Sequence, residues 1–89
     1  MMTQSDSVEH RLRLILVDVL GLTLARAEGL HAQSGLFGAL PELDSMAVAG
    51  LLTEIEDQFH IIVDDEEVNG DMLETFGGLS TYVTAKLAR

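Results

Sequence analysis

The stretch Leu40-Pro41-Glu42-Leu43-Asp44-Ser45-Met46-Ala47-Val48, running on without a break into Ala49 to Phe59, decides the fold. It joins a glycine- and proline-bearing segment to an apolar stripe of helical period, with a single serine at the junction. Val48, Leu51, Leu52, Ile55 and Phe59 recur at three- and four-residue spacings while Glu54, Asp57 and Gln58 fall between them, which predicts a helix from Ser45 to about Phe59. Asp44 and Ser45 form a capping pair at its start. With Ser45 as a cap, its replacement by alanine is expected to cost about 0.5–2 kcal/mol.

Upstream, Gly21, Gly29, Gly35, Gly38 and Pro41 punctuate the segment from Gly21 to Leu43. They predict a long loop with no more than a short helical turn around Ala25 to Leu30. Leu22, Leu24, Leu30, Leu36, Phe37 and Leu40 are its expected tethers to the core. A loop of this length in a compact domain usually has a task. Before it, Val8, Leu12, Ile15, Leu16 and Val19 predict a first helix over Ser5 to Leu20, started by the capping residues Ser5, Asp6 and Ser7 and ended by Gly21.

Downstream, Ile61-Ile62-Val63 reads as a short extended connection. Asp64 to Glu67 place acids where a short third helix would begin, complementing its dipole. Gly77-Gly78 reads as a turn, and a final helix over Gly78 to Ala88 buries Leu79, Val83 and Leu87, with Phe76 just ahead and Lys86 and Arg89 at its carboxyl end. The expected fold is all-α, a small four-helix bundle with a long first loop and a short third helix, in one domain spanning 1–89 with residues 1–5 disordered.

Composition narrows what such a bundle can do. A chain of 89 residues is too small to surround a drug-sized substrate as most enzymes do. It has no cysteine, so neither disulfides nor thiolate metal sites hold it together, and 47% apolar with 4% aromatic residues implies an aliphatic core. The start of the chain lacks a signal peptide pattern and no apolar run reaches membrane-spanning length, so a soluble cytoplasmic protein is expected. A formal net charge of -10 opposes nucleic-acid backbones and anionic membranes and favours a partner with a basic surface. From Ala27 to Ala85 there is no Lys or Arg, whereas most of the acids lie there.

Self-contained chemistry finds little support. Ser45 lacks the G-x-S-x-G elbow, since Leu43 and Ala47 occupy the glycine positions, and His10, His31 and His60 fall in different elements. Asp65-x-Glu67-x-Asn69-Gly70-Asp71-Met72 imitates the first eight positions of a calcium loop, but the twelfth position is Phe76, which has no oxygen. His60 could face Asp64 or Glu56 only on a continuous helix, so no metal ligand is assigned. Phosphate-cradling glycine motifs are absent. A serine at a helix amino terminus is nonetheless well placed for attachment: its hydroxyl is within a second protein's reach, and a phosphodiester there meets unpaired amides and the positive end of the dipole.

The run Asp44-Ser45-Met46, the long loop carrying Leu36-Phe37-Gly38, the helix ending at Phe59, the connection Ile61 to Glu67 and the final helix together resemble the acyl carrier protein family with its Asp-Ser-Leu attachment motif. The resemblance covers essentially the whole chain. It implies a bundle of acyl-carrier type that is not an enzyme, whose Ser45 receives 4'-phosphopantetheine from coenzyme A through a magnesium-dependent phosphopantetheinyl transferase. Acyl groups would ride as thioesters on that arm. It further implies a monomer whose partner enzymes dock through basic patches on Asp44, Met46, Ala49, Thr53, Glu56 and Asp57, with acidic residues steering the encounter.

Several positions depart from the commonest carriers of this family. Met46 stands for the usual leucine, Leu43 for a glycine or alanine, Gly50 for a common acidic docking residue, and Asn69 to Phe76 looks longer. The phrase from Leu40 to Met46 is similar to freestanding bacterial carriers of specialised pathways, such as surface-polymer or secondary-metabolite synthesis. Two alternatives stay open: an aminoacyl or D-alanyl carrier, and an unmodified acidic adaptor, calcium-responsive or not, in which Ser45 is only a cap.

Overall fold

The computed structural model describes residues 4–88. Helix α1 (Gln4–Leu20) presents Val8, Leu12, Ile15 and Leu16 as one fully buried stripe, the face that its three- and four-residue spacing dictates. Ser5, Asp6 and Ser7 lie inside its first turns rather than ahead of it. Of the residues expected to be disordered, 1–3 lie outside the described residues, as does Arg89.

The long segment after Gly21 contains one short helix, α2 (Leu24–Glu28), the turn expected near Ala25 to Leu30. Thr23 starts it by accepting from the Arg26 amide at 3.1 Å, and Ala27 is its buried residue. Helix α3 (Ser45–Phe59) has the expected bounds and buries Leu51, Ile55 and Phe59. It ends where His60 takes left-handed backbone angles (φ 56°, ψ 45°) and the Ile61 amide reaches back to the Glu56 carbonyl at 3.3 Å, a helix stop in which glycine is the commoner residue.

The acids after Val63 form a single 3-10 turn (Asp65–Glu67), and the short helix expected to start there begins later as α4 (Gly70–Glu74). Asn69 explains the offset: its side-chain oxygen accepts from the Met72 amide at 2.9 Å and so caps the helix. Helix α5 (Phe76–Leu87) also differs from expectation at its start. Thr75 Oγ1 accepts from the Gly78 amide at 3.0 Å, which makes Thr75 the cap and places Gly77 and Gly78 inside the first turn rather than in a turn before it.

The core is aliphatic around two rings, Phe59 and Phe76. Leu12, Leu16, Leu36, Leu51, Ile55, Phe76, Leu79 and Val83 are fully buried, and the loop residues Leu22, Leu30 and Leu43 join them. Two expected tethers fail to bury: Leu24 is 58% exposed on the outside of α2 and Phe37 is 47% exposed. Phe37 lies in a turn closed by the Ala39 and Leu40 amides donating to the Leu36 carbonyl, and it faces outward while Leu36 points into the core.

The stretch around Leu36 is held by backbone bonds to the joint between α4 and α5. The Leu36 and Phe37 amides donate to the Glu74 and Leu73 carbonyls at 2.9 Å each, while the Phe76 and Gly77 amides donate to Ser34 and Ala32 at 2.8 and 2.9 Å. Gly35 and Thr75 form the one antiparallel bridge among the described residues. Arg13 of α1 completes the attachment, donating to the Leu30 carbonyl at 2.9 Å with its guanidinium 5.0 Å from the centre of the Phe76 ring.

The two backbones approach so closely that a Cβ on Gly77 would lie 2.6 Å from the Ala32 carbonyl oxygen, whereas one on Gly50, in α3, would meet only Val19 Cγ1 at 3.8 Å. Helix propensity alone favours alanine at both positions. Gly50→Ala is therefore expected to raise stability by up to about 1 kcal/mol, and Gly77→Ala to lower it by about 1–3 kcal/mol. Urea unfolding of the two variants separates propensity from packing.

Candidate functional site

Asp44, not Ser45, is the cap of α3. Its backbone is extended (φ -100°, ψ -176°), its Oδ1 accepts from the Ala47 amide at 2.8 Å, and its carbonyl accepts from Val48 at 3.0 Å. Ser45 is consequently the first helical residue, which corrects the expectation of a capping serine. Its side chain is exposed, and among the described residues its hydroxyl has no hydrogen-bond partner. The amides of Ser45 and Met46 likewise find no acceptor among the described residues, so the start of α3 offers two N–H groups and the positive end of a fifteen-residue helix beside that hydroxyl.

The approach to Asp44 is fixed from two sides. Leu43 is buried and its amide donates to the Leu40 carbonyl at 3.0 Å. One residue earlier, Glu42 receives two hydrogen bonds from the Arg26 guanidinium of α2. That contact draws the Glu42 carboxyl below its ordinary range and raises Arg26 in return. Both side chains are substantially exposed, so the pair orients the loop more than it stabilises the fold.

The other expected site residues separate into two strips, as a 3.6-residue period requires. Met46, Thr53 and Asp57 share the outward strip; Met46 is 86% exposed, and Thr53 and Asp57 are exposed as well. Ala49 and Glu56 follow Ser45 on the neighbouring strip, which lines a groove. The Thr53 hydroxyl donates back to the Ala49 carbonyl at 2.9 Å. Glu56 is half-buried and accepts from the Val63 amide at 2.8 Å, so it holds the connection after α3 in place rather than standing free on the surface.

Two grooves meet at Ser45. The first, of about 470 Å³, runs along α3 past Val48, Ala49, Leu52 and Thr53 to Glu56, with Val63 and Val68 as its opposite wall. The second, of about 320 Å³, lies between Phe37 and Leu73 and shares Ser45, Val48 and Val68 with the first. Val48 and Leu52, read from their period as core, are half-buried groove residues. Their partners Val63, Val68, Phe37 and Leu73 carried no functional signal in the sequence, because an irregular connection and a distant loop supply the facing wall.

The wall is tied to α5 by one ionic cluster. Lys86 Nζ lies 2.7 Å from Glu67 and 3.6 Å from Asp64, and the Tyr82 hydroxyl donates to Glu67 Oε1 at 2.8 Å. Hydrogen bonds from Lys86 and Tyr82 hold the Glu67 carboxyl down to about 2. The calcium-like stretch is spent on the fold: Glu67 faces Lys86, Asn69 caps α4, and Phe76 is fully buried. His10, His31 and His60 are exposed on separate elements, and no group of three His, Asp or Glu side chains that could hold a metal ion occurs among the described residues.

Comparison with known proteins agrees with this geometry. Residues 10–83 match the family described as the phosphopantetheine attachment site. A holo acyl carrier protein from Nitrosomonas europaea, solved by solution NMR, superposes with a TM-score of 0.84 at 42% sequence identity, covering 98% of this chain and 100% of its own. No curated protein matches the chain. Among the described residues, no helix is long and apolar enough to cross a membrane.

Because Asp44 caps α3, Asp44→Ala is expected to cost about 1 kcal/mol, while Ser45→Ala changes stability by less than about 0.5 kcal/mol. Denaturant unfolding of both checks the order. Glu67, lowered from an ordinary 4.5 to about 2, adds stability that is present above pH 4.5 and lost as pH falls toward 2. Acid titration of the Glu67→Gln variant should lack that part of the loss.

Proposed function

Since the chain belongs to the phosphopantetheine-attachment family of acyl carriers, we propose that Ser45 is the residue that receives the arm, transferred from coenzyme A by a separate phosphopantetheinyl transferase. The observation that carries this reading is the division of labour at the start of α3: Asp44 performs the cap and leaves the Ser45 hydroxyl exposed and uncommitted. The residues present suit the group. A phosphodiester on Ser45 would sit beside the unpaired amides of Ser45 and Met46, where the helix dipole favours negative charge.

When bound, 4'-phosphopantetheine supplies the terminal thiol that a chain without cysteine lacks, and acyl groups are held on it as thioesters. The protein's own residues do the rest without catalysis. Asp44 fixes the helix start, Leu43 and the Arg26–Glu42 pair fix the loop that leads to it, and the grooves beside Ser45 offer apolar surface to whatever the arm carries.

Partner enzymes are assigned to the outward strip of α3 together with the adjoining rim of the first groove, where Ala49 and Glu56 lie. Met46 gives them an apolar contact beside the attachment point, Ala49 and Thr53 a flat middle, and Asp57 an acid for a basic patch. Glu56 contributes charge to the same surface while its Oε2 is bound to Val63. Gly50 leaves the middle of that surface uncharged, and together with Met46 and the buried Leu43 it supports a partner set belonging to a specialised bacterial pathway rather than to general fatty acid synthesis.

Incubation with coenzyme A, magnesium and a promiscuous transferase is expected to add one arm to the intact mass, mapped to Ser45, and to add nothing to Ser45→Ala. An arm on the Ser45→Ala protein overturns the assignment. Asp57→Lys should leave the fold and the modification intact while lowering kcat/KM of a cognate partner by about three- to tenfold; an unchanged value removes Asp57 from the docking surface.

A further inference from the structure

A cleft of about 380 Å³ opens between α1 and α5 and shares no lining residue with either groove at Ser45. Gly77, Ala85 and Ala88 leave it room, and Ser80 and Thr84, one helical turn apart on the same face of α5, bring hydroxyls to it. Ser80 is only 4% exposed and Thr84 Oγ1 is buried, yet neither hydroxyl has a hydrogen-bond partner among the described residues. Thr53 of α3 shows the ordinary solution, donating back to the carbonyl four residues earlier. Buried hydroxyls left without that bond lower stability, so the fold alone does not account for them.

Glu9 of α1 faces the same cleft. It is half-buried, and it has no ion-pair partner among the described residues. Arg13, one turn further along α1, is committed to the Leu30 carbonyl and the Phe76 ring.

We propose that this cleft receives a basic side chain, an arginine, from a partner protein. The donor set selects the chemistry. Two hydroxyls and a carboxylate can all accept, Glu9 calls for positive charge, and a single carboxylate among the lining residues makes no metal site. A guanidinium offers its N–H groups in one planar fork, and its aliphatic stem suits the small apolar surface of Gly77, Ala85 and Ala88. The formal net charge of -10 favours the same kind of partner at longer range.

The consequence is a second handle on the molecule. A partner held by α1 and α5 leaves Ser45 and the outward strip of α3 free, so it can stay bound while other proteins meet α3 in turn.

The test titrates the full chain with butylguanidinium, an arginine side chain without its backbone, and follows amide shifts. Saturable shifts at Glu9, Ser80 and Thr84 that spare Ser45 and Asp57 are expected, and none with butylurea, which keeps the shape without the charge. Glu9→Gln and Thr84→Val should each weaken binding by about three- to tenfold. Thr84→Val should also unfold at an equal or higher urea concentration than the wild type, because a methyl replaces a hydroxyl that the fold leaves unpaired. Shifts that never saturate, that spread evenly over exposed acids such as Asp57, or that survive both substitutions overturn the site. Binding seen only in Arg89→Gln overturns it as well, since the cleft then serves the chain's own Arg89 and not a partner.

Discussion

The backbone bonds between residues 32–37 and 73–77 are the constraint on which the rest of the molecule depends. A segment as long as the one from Gly21 to Leu43 must find partners for its amides and carbonyls or leave them to water. Here the joint between α4 and α5 supplies them, and the price is the close approach that only a glycine at position 77 permits. With the loop held there, Leu36 enters the core, Leu43 follows it, and the chain arrives at Asp44 in the extended conformation that a helix cap requires. The short α4 and the longer α5 therefore serve a site to which α4 contributes one wall and α5 nothing directly.

In the assignment proposed for Ser45, the start of α3 gives the fold and the function to different residues. The carboxylate of Asp44 takes the structural duty, and the serine beside it is left with none. The acids further along are divided in a similar way. Asp57 stands in solvent, Glu56 ties the end of α3 to Val63, and Glu67 ties the same connection to α5 through Lys86 and Tyr82. The wall of the first groove, which has no regular hydrogen-bonding ladder, is thus pinned at both edges by carboxylates.

Much of this was legible from period and spacing. The bounds of α3, the stripe of α1 and the aliphatic core follow from apolar residues at helical intervals, because each element buries one face against the others. What escaped depends on contacts between distant segments. Nothing local says that Phe37 turns outward, that Thr75 rather than Gly78 starts α5, or that Asn69 draws α4 downstream of the acids. At the site, the motif around Ser45 was readable, but the choice of Asp44 over Ser45 as cap is a matter of backbone angles. The walls Val63 and Val68 are visible only once the connection is folded against α3.

The segregation of bases from acids has a consequence for how the molecule is attacked by proteases. Arg26 and Lys86 bracket a stretch that contains α3, α4, both grooves and every irregular segment beyond α2, with no Lys or Arg inside it. Lys86 itself is only 10% exposed and is ion-paired. Segments such as 29–44 and 60–69, the kind of backbone that opens most readily, therefore offer no scissile bond to an enzyme that cuts after a basic side chain. Local opening of the stretch that bears Ser45 is silent to trypsin, and a glutamate-directed protease is the one that would register it.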